Sequence, residues 1–299
     1  MTTSEPLSPQ GPSLAVTRAF YGAELDLSAR PKAPKPGWDS MPECRAVRSI
    51  QAHGATVRQV RRFLTFISAL DRARDADRLW DAGVRLFAEA PWSIEPRQVV
   101  ARSREDLLDA LKSRGVSQRH RVDTDAWHRI AESVAERATA PTIYDVLEQG
   151  VGDTAALLRA LAARDDYGRT RFPMLGGPKI SGMWVRILAS PGGARITGLD
   201  TLPVAVDVQI RKVSRYLGVA REEGACGVGR VRTKVQDAWR REVAAHGVDG
   251  PPALGGTCAA LDPALWFFAK WGCTFCERAR RRIPIAPICA RCQFVPGSV

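Results

Sequence analysis

The residues most suited to chemistry are four cysteines, Cys273, Cys276, Cys289 and Cys292, within CTFCERARRRIPIAPICARC. They fall as Cys-x2-Cys-x12-Cys-x2-Cys. Two such knuckles can turn four thiolates towards one centre, and by spacing alone the pattern is that of a zinc ribbon. The run between the pairs holds Arg278, Arg280, Arg281 and Arg282. A metal that folds this tail would hold those guanidinium groups where they can contact phosphates. Cys44, Cys226 and Cys258 fit neither pair and read as buried or incidental thiols.

A second stretch, MLGGPKISGMW, places Gly176 and Gly177 ahead of Pro178 and Lys179. Pro at a helix start and glycines before it leave backbone N–H groups for a phosphate oxygen. Lys179 then stands in the first helical turn, where the helix dipole disfavours a cation and so favours a neutral, nucleophilic amine. The plain alternative is a solvent-facing lysine beside an ordinary turn. Further on, LPVAVDVQIRKVSRYLG puts Asp207 at a helix start. An aspartate there is first an N-cap. Next to a reacting sugar it can also accept a proton or stabilise a developing cation. Trp184 follows Lys179 closely and is read as a core residue, with stacking on a base as the alternative.

These residues need a helical frame, and the apolar spacing provides one. Val57, Val60, Leu64 and Ile67 share a helix face, and a second helix is expected from Asp75 to Glu89. Ser103 opens REDLLDALKSRG, Asp153 opens TAALLRALAARDD, and Trp127, Ile130 and Val134 line another face. Asp262 and Pro263 are expected as cap and first residue of the helix in LDPALWFFAKWG. Only ARITGL and LPVAV have β character. The expected class is all-α, with about nine or more helices.

Four regions are expected: a Pro/Ser-rich disordered arm over 1–40, a helical region over 41–140, a core over 141–250, and an aromatic helix with the four-cysteine tail over 251–299. A net charge of +12 and a pI near 9.9 point to a polyanionic partner, most simply nucleic acid. MTTSEPLSPQGPSLAV has neither a basic n-region nor an apolar stretch, so a cytoplasmic, nucleoid-associated protein with reduced thiols is expected. The apolar run Ala264–Ala269 is too short for a membrane span.

Gly177-Pro178-Lys179-Ile180-Ser181 resembles the hairpin Leu-Pro-Gly-Val-Gly-x-Lys-Thr-Ala of the helix-hairpin-helix DNA glycosylase superfamily, the group of endonuclease III and the 8-oxoguanine glycosylases. Val206-Asp207-Val208-Gln209-Ile210 resembles its Val-Asp-Thr/Val-His-Val signature, with Gln209 in place of His, and RKVSRYLGV continues the likeness. Endonuclease III-like members end in an iron–sulfur loop of pattern Cys-x6-Cys-x2-Cys-x5-Cys after an aromatic helix. Here ALWFFAKWG precedes Cys273, and Cys289 and Cys292 match in order, with Cys276 in place of the last family cysteine.

The resemblance implies a two-lobed helical fold with a helix-hairpin-helix motif and a four-cysteine loop. It implies a monomer that excises a damaged or modified base from duplex DNA, with Lys179 attacking C1′, Asp207 assisting, and possible strand nicking through a Schiff base. It favours a [4Fe–4S] cluster, with Zn²⁺ left open by the spacing. The rival expectation is a non-catalytic DNA-binding or repair-scaffold protein with a structural metal.

Overall fold

Short polar side chains mark the starts of several helices, because the first N–H groups of a helix have no partner inside it. The computed structural model describes residues 10–220 and 228–295, so Cys226 lies outside the described residues. The chain divides into two units, one of residues 41–201 and one that combines residues 1–40 with 202–299.

The central unit carries α2 (Pro42–Ala52), α3 (Val57–Ala69), α4 (Ala76–Glu89), α5 (Pro96–Val100), α6 (Arg104–Ser113), α7 (His120–Ala135), α8 (Pro141–Glu148), α9 (Thr154–Ala162) and α10 (Ile180–Ala189). Two three-residue strands, β1 (Val151–Asp153) and β2 (Arg195–Thr197), pair in parallel with Gly152 opposite Ile196. Thr56 and Gln59 cap α3 reciprocally, Ser103 and Asp153 cap α6 and α9 as the sequence predicts, and Asp75, expected as the first helical residue, caps α4. Val60, Phe63, Leu64 and Ile67 form the buried face of α3. Gly83 lets α4 lie against it, since a Cβ there would stand 2.7 Å from Cδ1 of Ile67. Trp184 is fully buried and donates from Nε1 to Thr65 Oγ1 at 2.9 Å, which makes it a core residue and not a base-stacking one.

The other unit joins both ends of the chain. It contains α1 (Pro12–Tyr21), α11 (Val208–Tyr216), α12 (Val228–His246), α13 (Cys258–Phe268) and α14 (Thr274–Ala279), with a wide π turn over Ala269–Cys273 and a 3₁₀ turn over Pro287–Arg291. Residues 10–40 therefore do not form a disordered arm. They are poor in large apolar residues, but Val16, Phe20 and Leu25 are all buried. Phe20 packs on Phe267 of α13, and the Tyr21 hydroxyl donates to Ala260 O at 2.6 Å.

The start of α13 also differs from the sequence expectation. Thr257 is the cap, and Pro263 lies inside the helix. Asp262 is instead buried and accepts the Ala205 amide at 2.8 Å. LPVAV forms no strand; the segment before Asp207 is irregular, and the Gln236 side chain donates to Val204 O at 3.2 Å. No helix among the described residues is long and apolar enough to cross a membrane.

The central unit buries an ion pair between Arg74 and Asp123, with side chains 3% and 0% exposed. Burial pushes the Asp123 carboxyl up, but amide donors at Arg119 and Gln118 and the Arg74 guanidinium outweigh it and hold it below its ordinary value. Asp123→Ala leaves Arg74 buried without its carboxylate and is expected to cost roughly 3–5 kcal/mol in denaturant unfolding. Because the folded value lies below the unfolded one, the wild-type contribution is complete above about pH 4 and is lost as the pH falls through the folded value. The stability gap between wild type and Asp123→Asn should therefore narrow in acid.

Candidate functional site

The four cysteines of the tail come together. Cys273, on the π turn after α13, Cys276 on α14, and Cys289 and Cys292 around the 3₁₀ turn line one cavity with Tyr216, Phe268, Ile285 and Phe294. Backbone amides point at the sulfurs. Ile283 N donates to Cys276 Sγ at 3.3 Å, Ile285 N to Cys289 Sγ at 3.4 Å and Phe294 N to Cys292 Sγ at 3.4 Å. Such N–H···S bonds favour the thiolate. Burial, followed by the neighbouring thiols of Cys292, Cys289 and Cys276, pushes the Cys273 thiol well above its ordinary value. Burial likewise raises the Cys289 thiol against the amides of Ile285 and Ala286. Buried thiols of this kind become thiolates when a metal replaces their protons. The donor set therefore fits a tetrathiolate metal group. Among the described residues, no three His, Cys, Asp or Glu side chains gather closely enough to hold a single metal ion.

The cavity is joined to the helix that Asp207 begins. Asp207 Oδ1 accepts from Gln209 N at 2.8 Å and Ile210 N at 3.0 Å, so the carboxylate caps α11 and is fixed in direction. One turn on, Lys212 Nζ donates to Glu277 Oε2 at 2.6 Å and to Thr274 Oγ1 at 2.8 Å, both on α14. Thr274 Oγ1 donates to Gln209 Oε1 at 3.1 Å, and the Tyr216 hydroxyl donates to Glu277 Oε1 at 2.5 Å. Burial and then the Glu277 hydrogen bond push the Tyr216 phenol up to about 12. At Glu277 burial works upward, but Lys212 and Tyr216 outweigh it and leave the carboxyl below its ordinary value. Gly218 ends α11 at φ +70°, where a Cβ would stand 2.5 Å from Gln293 Nε2.

The tail arginines divide. Arg278, Arg280 and Arg281 are exposed, with Arg280 in the left-handed region at φ +50°. Arg282 departs from the expected phosphate contact. Its Nε donates to Phe294 O at 3.0 Å and its NH2 group to Cys292 O, so it braces the loop.

Lys179 belongs to the central unit and Asp207 to the other, so each is placed by its own unit. Lys179 is half-buried at the start of α10, and helical bonding begins with Ser181 N on Gly177 O at 2.9 Å. A Cβ on Gly176 would lie 3.0 Å from Leu161 O, which explains a glycine there. The connection before the glycines is long: α9 ends at Ala162, and an antiparallel bridge pairs Arg164 with Thr170. Sequence reading missed Lys212, Tyr216 and Glu277 and misread Asp262, because nothing in local spacing marks a polar contact made across the fold.

No protein-family model matches the chain, and neither a curated protein nor a solved structure is significantly similar to it.

Removing Glu277 leaves the Lys212 ammonium and the Tyr216 hydroxyl without their shared acceptor. Glu277→Ala is expected to lose about 1–3 kcal/mol in urea unfolding. Tyr216→Phe removes one neutral hydroxyl, which donates to Glu277 and accepts from the Arg215 NH2 group at 2.9 Å, and should lose about 1 kcal/mol.

Proposed function

We propose that the protein is a DNA glycosylase that removes a damaged or modified base by attack at C1′. The observation that carries this reading is the meeting, in one unit, of two stretches that resemble the glycosylase superfamily independently. The helix capped by Asp207 is bonded through Lys212 and Tyr216 to the segment bearing Cys273 and Cys276.

In this reading Asp207, oriented by the Gln209 and Ile210 amides, stabilises positive charge that develops on the sugar as the glycosidic bond breaks. The bond's electron pair leaves with the base. Lys179, as a neutral amine, supplies the pair that forms the new bond at C1′, and the lysine proton is released to solvent or to a carboxylate. Extruding the base costs a few kcal/mol, least at a lesion or mispair. Arg278, Arg280 and Arg281 are the tail's candidate phosphate contacts.

Cys273, Cys276, Cys289 and Cys292 would hold the metal group. When bound, it supplies a structural cross-link that orders the tail. The resemblance favours a [4Fe–4S] cluster, and the Cys-x2-Cys-x12-Cys-x2-Cys spacing leaves Zn²⁺ open.

Anaerobically purified protein is expected to be brown and to contain iron and labile sulfide. Colourless protein with one zinc per chain would replace the cluster with zinc. With oligonucleotides carrying a panel of base lesions, Asp207→Asn is expected to lose roughly 100-fold or more of base release while still binding DNA. Full activity in that variant removes Asp207 from the chemistry. Borohydride should trap a covalent adduct with wild type and none with Lys179→Ala; base release without any adduct would remove Lys179 as nucleophile. Binding without base release on every substrate would leave a DNA-binding scaffold.

A further inference from the structure

The chain between α1 and α2 lies against the cysteine loop. Asp26 N donates to Ile285 O at 2.8 Å, and turns closed by Arg30 N on Leu27 O at 2.8 Å and Ala33 N on Arg30 O at 2.9 Å hold Arg30 in place. The Arg30 side chain points inward. The residue is 4% exposed, and its Nε donates to Trp271 O at 2.6 Å while its NH2 group donates to Ile283 O at 2.7 Å. Its guanidinium also stacks 4.5 Å from the centre of the Phe275 ring. Both carbonyls flank the cysteines: Trp271 precedes Cys273, and the Ile283 amide is the donor to Cys276 Sγ.

Arg30 has no carboxylate at ion-pair distance among the described residues; Asp26 acts on it only as a weaker, more distant charge. A buried guanidinium without an anion is unfavourable even when its N–H groups are satisfied. The opposite charge available here is sulfur. Lys212 of α11 is already paired with Glu277, at 2.6 Å. Four thiolates around a divalent ion or a cluster carry surplus negative charge, which a buried unpaired cation offsets.

We propose that Arg30 is the counter-charge and positioning residue of the four-cysteine metal centre, so that the amino-terminal strap forms part of the metal site. This rests on the metal reading above, and its test separates the two. Wild type, Arg30→Lys and Arg30→Gln are purified anaerobically with their metal, checked for helical content by circular dichroism, and challenged with a chelator. Arg30→Met serves as a second neutral variant where glutamine disturbs folding.

Arg30→Lys is expected to release metal within about three-fold of the wild-type rate, and the neutral variants about ten-fold faster or more. With iron bound, the neutral variants should also have a lower reduction potential than wild type and lysine should not, because a lost cation disfavours the more negative reduced state. Equal release by the lysine and neutral variants, whether slow or fast, overturns the counter-charge role. Wild-type protein without any metal overturns the metal reading itself, and the role of Arg30 with it.

Discussion

The docking of α1 on α13 is the contact on which the cysteine-bearing unit depends. It brings residues from the start of the chain against residues from its last quarter through Val16, Phe20, Phe267 and the Tyr21–Ala260 hydrogen bond. Each large apolar side chain buried there contributes about 1.5–3 kcal/mol. The entropy of closing so long a loop grows only with the logarithm of its length, so a few such side chains suffice once the intervening unit folds. Ser13 and Thr17 add polar specificity: the Ser13 hydroxyl donates to Gly247 O at 2.8 Å, and Thr17 Oγ1 accepts from Asp249 N at 3.0 Å. Everything after α1, Arg30 included, reaches the tail because of this docking.

The same unit fixes Asp207 from several directions. Asp262 holds the Ala205 amide, Gln236 holds Val204 O, and the Trp239 indole donates to Ser214 Oγ on the buried side of α11 at 2.7 Å. Lys212, Glu277 and Tyr216 then tie that helix to the cysteine segment. Disturbing the cysteine loop should therefore be felt at Asp207 through a short chain of hydrogen bonds and not through a long elastic path. Buried networks of this kind are rigid when complete and unfavourable when one member is missing.

How much of this was legible in sequence follows from the range of each interaction. The caps at Ser103, Asp153 and Asp207 were readable, because a cap and its amide lie two or three residues apart. The shared cavity of the cysteines agrees with their spacing for the same local reason. Asp262-Pro263 misled, because its local signature is that of a helix start while its carboxylate serves a backbone amide from a distant segment. The amino-terminal segment misled on composition: apolar content measures how much a segment can bury, and three well-placed residues outweighed many prolines. Arg30 had no signature at all, since its partners lie more than two hundred residues away.

The arginines sharpen what the net charge of +12 means. Charge in composition counts every guanidinium as available to a polyanion, but several here are committed to the fold. Arg61 donates to Leu147 O and Glu148 O, Arg62 pairs with Glu95 and Glu148, Arg186 pairs with Glu43, and Arg30 and Arg282 hold carbonyls of the tail. Arg is suited to such work because its planar fork satisfies two carbonyls or a carboxylate at once and stays charged when buried. An arginine-rich sequence is thus partly an architectural material. The case for a nucleic-acid partner rests on the smaller set that faces solvent, which within the tail includes Arg278, Arg280, Arg281 and Arg291. They stand within the cysteine-bearing segment, so the proposed metal group and the proposed phosphate contacts share one stretch of chain.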